Sequence, residues 1–214
     1  MTEREAREVI LARLRAQYRE VPHPAAWRSR RHFGDLTRRF ESSLRLVGGE
    51  PRRAPSLTKA LDVLDKYFHE VDARRVIVNP DPPLDTVDFP ARWPDMDWYV
   101  VGRTAGDARN FAAVADIGIS SGTAALAETG TVVIESGYAH SRMAVLLPPV
   151  HIVLIPTERL TTDLFTWVAG RSRPFPAALT LITGPSKTAD IEQTLAIGVH
   201  GPGRFIVILV DAWL

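Results

Sequence analysis

Two stretches, Val150-His151-Ile152-Val153-Leu154-Ile155 and Phe205-Ile206-Val207-Ile208-Leu209-Val210, are apolar at nearly every position and do not alternate with polar residues. Side chains along a strand point to opposite faces in turn, so an unbroken apolar run predicts a strand covered on both faces. Such strands belong to a mainly parallel sheet held between other layers, and they commit the chain to an α/β architecture. Further strands are expected at residues 76–78, 98–101, 117–120, 131–136 and 178–183. The Pro- and Asp-rich segment 79–97 predicts a surface loop or crossover. Residues 160–171 predict a crossover helix, with Thr161 or Thr162 as its cap.

The beginning of the chain has a different period. Thr2-Glu3-Arg4-Glu5 has capping-box spacing, and Ile10, Leu14 and Tyr18 then mark one helix face, ended before Pro22 and Pro24. Trp27, Phe33, Leu36, Phe40 and Leu44 suggest a second helix stopped by Gly48-Gly49. Leu57, Leu61, Leu64, Phe68 and Val71 predict a third. The expected organisation is a helical segment over residues 1–74 and an α/β domain over residues 75–214.

Several chemistries are excluded by composition. The chain has no cysteine, which rules out disulfides, thiolate nucleophiles and iron–sulfur clusters held by its own thiolates. Its six histidines are scattered, without the short fixed spacing that anchors a metal site. Net charge is +1, yet residues 1–75 carry 17 Arg or Lys against 11 Asp or Glu, and the remainder is acidic. The basic residues are interspersed with acids and lack interleaved aromatics, the pattern of a solvated helix face and not of a nucleic-acid platform. The N-terminus is charged from the start, and the long apolar stretch at 143–156 contains three prolines. A cytoplasmic protein without a membrane span is expected.

Three segments carry candidate chemistry. In residues 120–131, small side chains precede Glu128-Thr129-Gly130-Thr131, a tight turn whose Gly130 can take positive φ. Glu128 is open to two readings there: a partly desolvated acid–base or nucleophilic carboxylate, or a cap on backbone N–H groups. Gly118-Ile119-Ser120-Ser121-Gly122 matches the G-x-S-x-G elbow, with Asp190 and His200 downstream. An elbow needs a long helix straight after the serine, and the turn at 128–130 leaves no room for one, so that match is accidental. The second segment is Thr183-Gly184-Pro185-Ser186-Lys187-Thr188, read as a strand end opening a short helix. Its N–H groups, hydroxyls and the cation of Lys187 suit a phosphate or carboxylate, or the serine or threonine simply caps the turn. Third, Arg142 precedes the run at 146–151 and can clamp a carboxylate or pair with Glu135 or Asp163. His151 reads as a core histidine. His200, in the turn His200-Gly201-Pro202-Gly203, is a candidate proton carrier.

Taken together, AETGTVVIESG (127–137), LLPPVHIVLIP (146–156) and ITGPSKTADIEQTLAIGVHGPG (182–203) closely resemble the LUD domain of the lactate utilisation protein C (LutC/YkgG) family. The resemblance covers about residues 110–212. It implies an open, three-layer, mainly parallel fold like that of the NagB/RpiA/CoA-transferase group. In CoA transferases of that group a catalytic glutamate lies in a Glu-Asn-Gly turn, and Glu128-Thr129-Gly130 looks similar with Thr in place of Asn. The family is linked to oxidation of L-lactate to pyruvate beside two iron–sulfur partner proteins. The resemblance thus implies an accessory or subunit role, with clusters on the partners and no cofactor on this chain. A small anionic ligand is expected between Glu128, Arg142 and the 186–188 loop. The alternative is a stand-alone CoA-transferase-like or sugar-phosphate-isomerase-like enzyme that uses Glu128.

Overall fold

The structure, a computed structural model, describes residues 2–19, 27–138, 140–172, 174–189 and 195–213. Its helices are α1 (Glu3–Gln17), α2 (Leu36–Leu46), α3 (Leu57–Glu70), α4 (Phe89–Arg92), α5 (Ala108–Ala112), α6 (Arg142–Leu146) and α7 (Leu164–Ala169). The strands are β1 (Glu50–Ala54), β2 (Arg75–Val78), β3 (Asp97–Val100), β4 (Ile117–Ser120), β5 (Ala124–Leu126) and β6 (Thr131–Glu135). They continue with β7 (Val150–Pro156), β8 (Leu160–Thr161), β9 (Leu179–Ile182), β10 (Lys187–Thr188), β11 (Ala196–Ile197) and β12 (Arg204–Val210).

Six strands form an all-parallel sheet in the order β1-β12-β7-β4-β2-β3. β7 and β12, the two unbroken apolar runs, sit side by side near its centre with Val150 to Ile155 opposite Arg204 to Leu209. One face packs Ile152, Leu154, Ile206 and Ile208 against α3 and an aromatic cluster of Phe68, Phe89, Trp93 and Trp98. The opposite face turns Val153, Ile155, Val207 and Leu209 towards α2 and a second sheet, of order β8-β5-β6-β9. Farther along that face, α5 and α6 cover Ile77 and Tyr99. The open three-layer, mainly parallel α/β fold expected from the sequence is present, and one outer layer combines helices with a small sheet.

The capping box of α1 is formed: Glu5 N donates to Thr2 Oγ1 and Thr2 N to the Glu5 carboxylate. α1 buries none of its residues. The second helix is shorter than expected, because Asp35 caps it by accepting from Arg38 N and leaves Trp27 and Phe33 outside. Pro22, Pro24 and His23 lie outside the described residues. The all-helical expectation for residues 1–74 fails at residues 50–54, which form edge strand β1, parallel to β12. Glu-Pro-Arg-Arg-Ala has no apolar run to announce a strand; backbone pairing and the Arg204–Glu50 ion pair hold it. Asp163, not a threonine, caps the helix after β8 by accepting from Thr166 N. No described helix is long and apolar enough to cross a membrane.

Candidate functional site

Parallel strands leave their C-terminal ends as a row of free backbone and loop starts, where open α/β sheets place their sites. Here β2 runs on through Asn79 to Asp81, β4 into Ser121-Gly122, and β7 through Pro156 to Arg159. Above these ends, the second sheet contributes Thr123, Glu135, Ser136 and Thr161, and α7 with its tail contributes Thr166, Trp167 and Arg171. Together they line a cleft of about 740 Å³.

Three charged groupings face this cleft. The first is Asp81 with His140, whose carboxylate Oδ2 and imidazole Nε2 are in contact. Burial holds the Asp81 carboxyl above its ordinary range, and the neighbouring His140 offsets part of that rise. The buried amide of Asn79 fixes this arrangement: it bonds the backbone of Ser141 in both directions, so the residue after His140 is tied to the residue two before Asp81. The second grouping is Arg171, paired with Glu135 and lying over the rings of Trp167 and Phe175, each 4.8 Å from the guanidinium carbon. The third is Arg159. It donates to Gly122 O at 2.7 Å, to Pro82 O at 3.1 Å and, more weakly, to Ser121 Oγ at 3.4 Å. Burial lowers its affinity for its proton, and among the described residues no carboxylate touches it. A guanidinium solvated only by neutral oxygens in a polar cleft is suited to receive an anion.

The candidate residues read from the sequence fall into three places. Glu128, Thr129, Gly130 and Thr131 form the turn between β5 and β6, and α2 lies against it. Glu128 pairs with Arg31 at 2.6 Å, and its carbonyl accepts from Ser43 Oγ at 3.0 Å. Gly130, at φ 70°, leaves room for the backbone of Leu44. The hydroxyls of Thr129, Thr131 and Thr183 form a chain, with spacings of 2.6 and 2.7 Å, from this turn to the end of β9. Gly184 and Lys187 meet the C-terminal end of α2: Lys187 Nζ donates to Val47 O at 2.5 Å. The 128–131 turn and the 184–187 segment are therefore brought together, around α2.

Ser186 and Thr188 belong to the second place. Thr188 pairs with Ala196 in the β10–β11 ribbon, Ser186 N donates to Pro202 O, and the exposed His200 lies in the adjoining turn. Lys187 and Thr188 are extended, where a helix start was expected, and residues 190–194 lie outside the described set. Arg142, the first residue of α6, is in the third place. It lines a narrow recess beside the cleft that shares Glu135, Ser136 and His140 with it. Glu135 is taken by Arg171 and Asp163 by its cap, so neither is the partner of Arg142. None of the ten candidate residues lines the main cleft itself. The residues that do, Asp81, His140, Arg159 and Arg171, escaped notice because each stands alone in the sequence. The available signal was position, since Asp81 and Arg159 each follow a predicted parallel strand within a few residues.

The fold and cleft define an open α/β domain with a polar, arginine-bearing site at the strand ends. Residues 38–210 match the model of the LUD domain. The chain belongs to the LUD-domain family, in its lactate utilisation protein C branch. It is 36% identical over 156 residues to lactate utilization protein C of Halalkalibacterium halodurans, covering 69% of this chain and 67% of that one. It is 40% identical over 107 residues to lactate utilization protein C 1 of Bacillus mycoides, 47% of this chain and 46% of that one. For lactate utilization protein C of Bacillus subtilis the match is 38% over 103 residues, 45% and 43% of the two chains. The alignable part thus spans less than half the length of the latter two relatives. A crystal structure of a DUF162 family protein from Deinococcus radiodurans shares the fold, with TM-score 0.56 and 21% identity over 82% of this chain and 96% of that one.

Proposed function

We propose that this chain is a component of a lactate-utilisation system, acting in the oxidation of L-lactate to pyruvate beside iron–sulfur partner proteins. The observation that carries this reading is its 36% identity, over 69% of its length, to a protein named for lactate utilisation. The absence of cysteine fits a division of labour in which electrons travel through clusters on the partners. Within this role the chain binds a small organic anion. Support for binding comes from the cleft, where Arg159 offers a positive charge held by neutral oxygens beside hydroxyls and an Asp–His pair.

Co-expression with the iron–sulfur partners tests the reading. The tagged chain is expected to co-purify with them, and the assembly to reduce a dye when L-lactate is supplied. No association, together with full lactate-dependent reduction by the partners alone, would overturn it.

A further inference from the structure

α7, Leu164-Phe165-Thr166-Trp167-Val168-Ala169, has no charged residue, and none of its side chains is fully buried. A helix this short is not stable by itself, so its position is set by what holds its two ends. Thr166, Trp167 and the following Gly170 form one wall of the cleft, and Trp167 rests on Ala124, Leu126 and Val133 of the second sheet. At the N-terminal end, the segment before α2 closes over the helix from outside. The Trp27 ring meets the Phe165 ring edge-on at 4.4 Å, and Arg31 pairs with Glu128 at 2.6 Å. Asp163, the buried cap of α7, faces the same segment. Burial raises its carboxyl, but Ser29, Thr166 and the Arg31 charge outweigh burial and hold it below its ordinary range. At the C-terminal end, Arg171 pairs with Glu135 of β6 and lies over the rings of Trp167 and Phe175.

We propose that α7 is the lid of the cleft, latched from outside by residues 27–31 and from the cleft side by the Arg171–Glu135 pair, and that releasing the outer latch opens the strand ends to ligand. This regulation rests on the cleft being the anion site proposed above. The reason is unequal anchorage. The floor of the cleft follows β2, β4 and β7, whose apolar residues are buried on both faces of the sheet. α7 instead leaves Leu164, Phe165 and Val168 exposed by 37, 44 and 41%. Elements held by few buried contacts open locally at a free energy well below that of global unfolding, and site lids are drawn from them. The outer latch has no other support from the chain before it, because α1 buries none of its residues. Its hold on α7 is the Trp27–Phe165 ring pair and the polar contacts of Ser29 and Arg31.

Hydrogen–deuterium exchange of the full chain, read by mass spectrometry, tests the lid without any ligand. Amides of residues 167–171 are expected to exchange about tenfold or more faster than those of β7 and β12. Trp27→Ala should speed residues 167–171 by about tenfold and leave β7 and β12 unchanged, while Trp27→Phe should restore most of the protection. Opening is read separately through Ser121→Cys, which puts a single thiol at the cleft floor of a chain that has no cysteine. Adding Trp27→Ala should raise the rate of thiol labelling there by about tenfold as well. Faster exchange in α7 with unchanged labelling makes residues 27–31 a structural brace and overturns the latch. Exchange in α7 as slow as in β7 and β12 overturns the lid. Should Trp27→Ala not fold, Glu135→Gln, which weakens the inner latch, is expected to speed the same amides and the same labelling, and its failure to do so decides against the proposal. Both readouts are independent of partners. Failed co-purification with an opening lid overturns the functional reading alone, and a fixed α7 in a chain that co-purifies overturns this inference alone.

Discussion

The side chain of Asn79 and the backbone of Ser141 bond in both directions, Asn79 Nδ2 donating to Ser141 O at 3.2 Å and Ser141 N to Asn79 Oδ1 at 2.9 Å. Asn79 is fully buried, so water offers no substitute partner. Because Asp81 and His140 flank these two residues, the clamp sets the distance across the pair. Asn79→Ala leaves Ser141 N without its partner, while Ser141 O keeps Ala144 N at 3.1 Å; an unpaired, largely buried N–H costs about 1–3 kcal/mol. Urea unfolding is expected to show a loss of about 1–3 kcal/mol. A urea midpoint within error of the parent would show that the Asn79 side chain does not hold Ser141 in place.

Gly130 is fixed by two independent constraints. Its φ of 70° is left-handed, and a Cβ there would stand 2.4 Å from Leu44 N. An L-residue costs about 1–2 kcal/mol in that conformation, and the contact with α2 is backbone that cannot swing aside. Gly130→Ala is therefore expected to lower stability by about 2–4 kcal/mol, combining this strain with displacement of α2. A urea midpoint within error of the parent would show that α2 is not seated on this turn.

Glu128 meets Arg31 at the surface end of the same turn, with side chains 25% and 49% exposed. Exposed pairs contribute about 0–1 kcal/mol, so Glu128→Gln is expected to change stability by no more than that. The substitution is thus a clean probe of chemistry. Loss of lactate-dependent dye reduction by the assembled system, in a variant that melts like the parent, would assign the carboxylate a reactive role. Retained reduction would leave it the part its contacts describe, a docking group between β5–β6 and the segment before α2.

How far the sequence reveals this molecule depends on whether a feature is local. β7 and β12 are legible because burial on both faces is written into consecutive residues, and the 127–137 and 182–203 blocks are legible as a family signature. β1 is not, since an edge strand with Arg52 and Arg53 facing solvent is defined by its partner β12 and not by its own composition. β5 is hidden for another reason: Ala124-Ala125-Leu126 is helix-prone, and pairing with β6 and β8 overrides that preference. The cleft is the extreme case. Asp81, His140, Arg159 and Arg171 come from four loops and meet only after the sheet orders its strands. Within the signature blocks, the 128–131 turn, Gly184 and Lys187 meet α2, while Glu135 and Ser136 line the cleft.

His151 provides a test of the core itself. It lies on β7 with no exposed surface, 2.8 Å from the Oγ of equally buried Ser120 and beside the Phe205 ring. Burial pushes its pKa from 6.5 down to about 3, so the folded ring stays neutral while the unfolded chain takes up a proton below about pH 6.5. Stability linked to this group is therefore fully present above the unfolded value and drains away as pH falls from 6.5 towards 3. Between pH 7 and pH 5 the loss should be roughly 2 kcal/mol. His151→Gln keeps a hydrogen-bonding group for Ser120 but cannot take up that proton. Its stability at neutral pH should drop through altered packing, yet its decline between pH 7 and pH 5 should be shallower than the parent's by about that same 2 kcal/mol. Urea titrations of both proteins at the two pH values measure the difference directly. Parallel declines would mean that water or a rearranged strand reaches the ring, and that the centre of the parallel sheet is more open than its packing indicates.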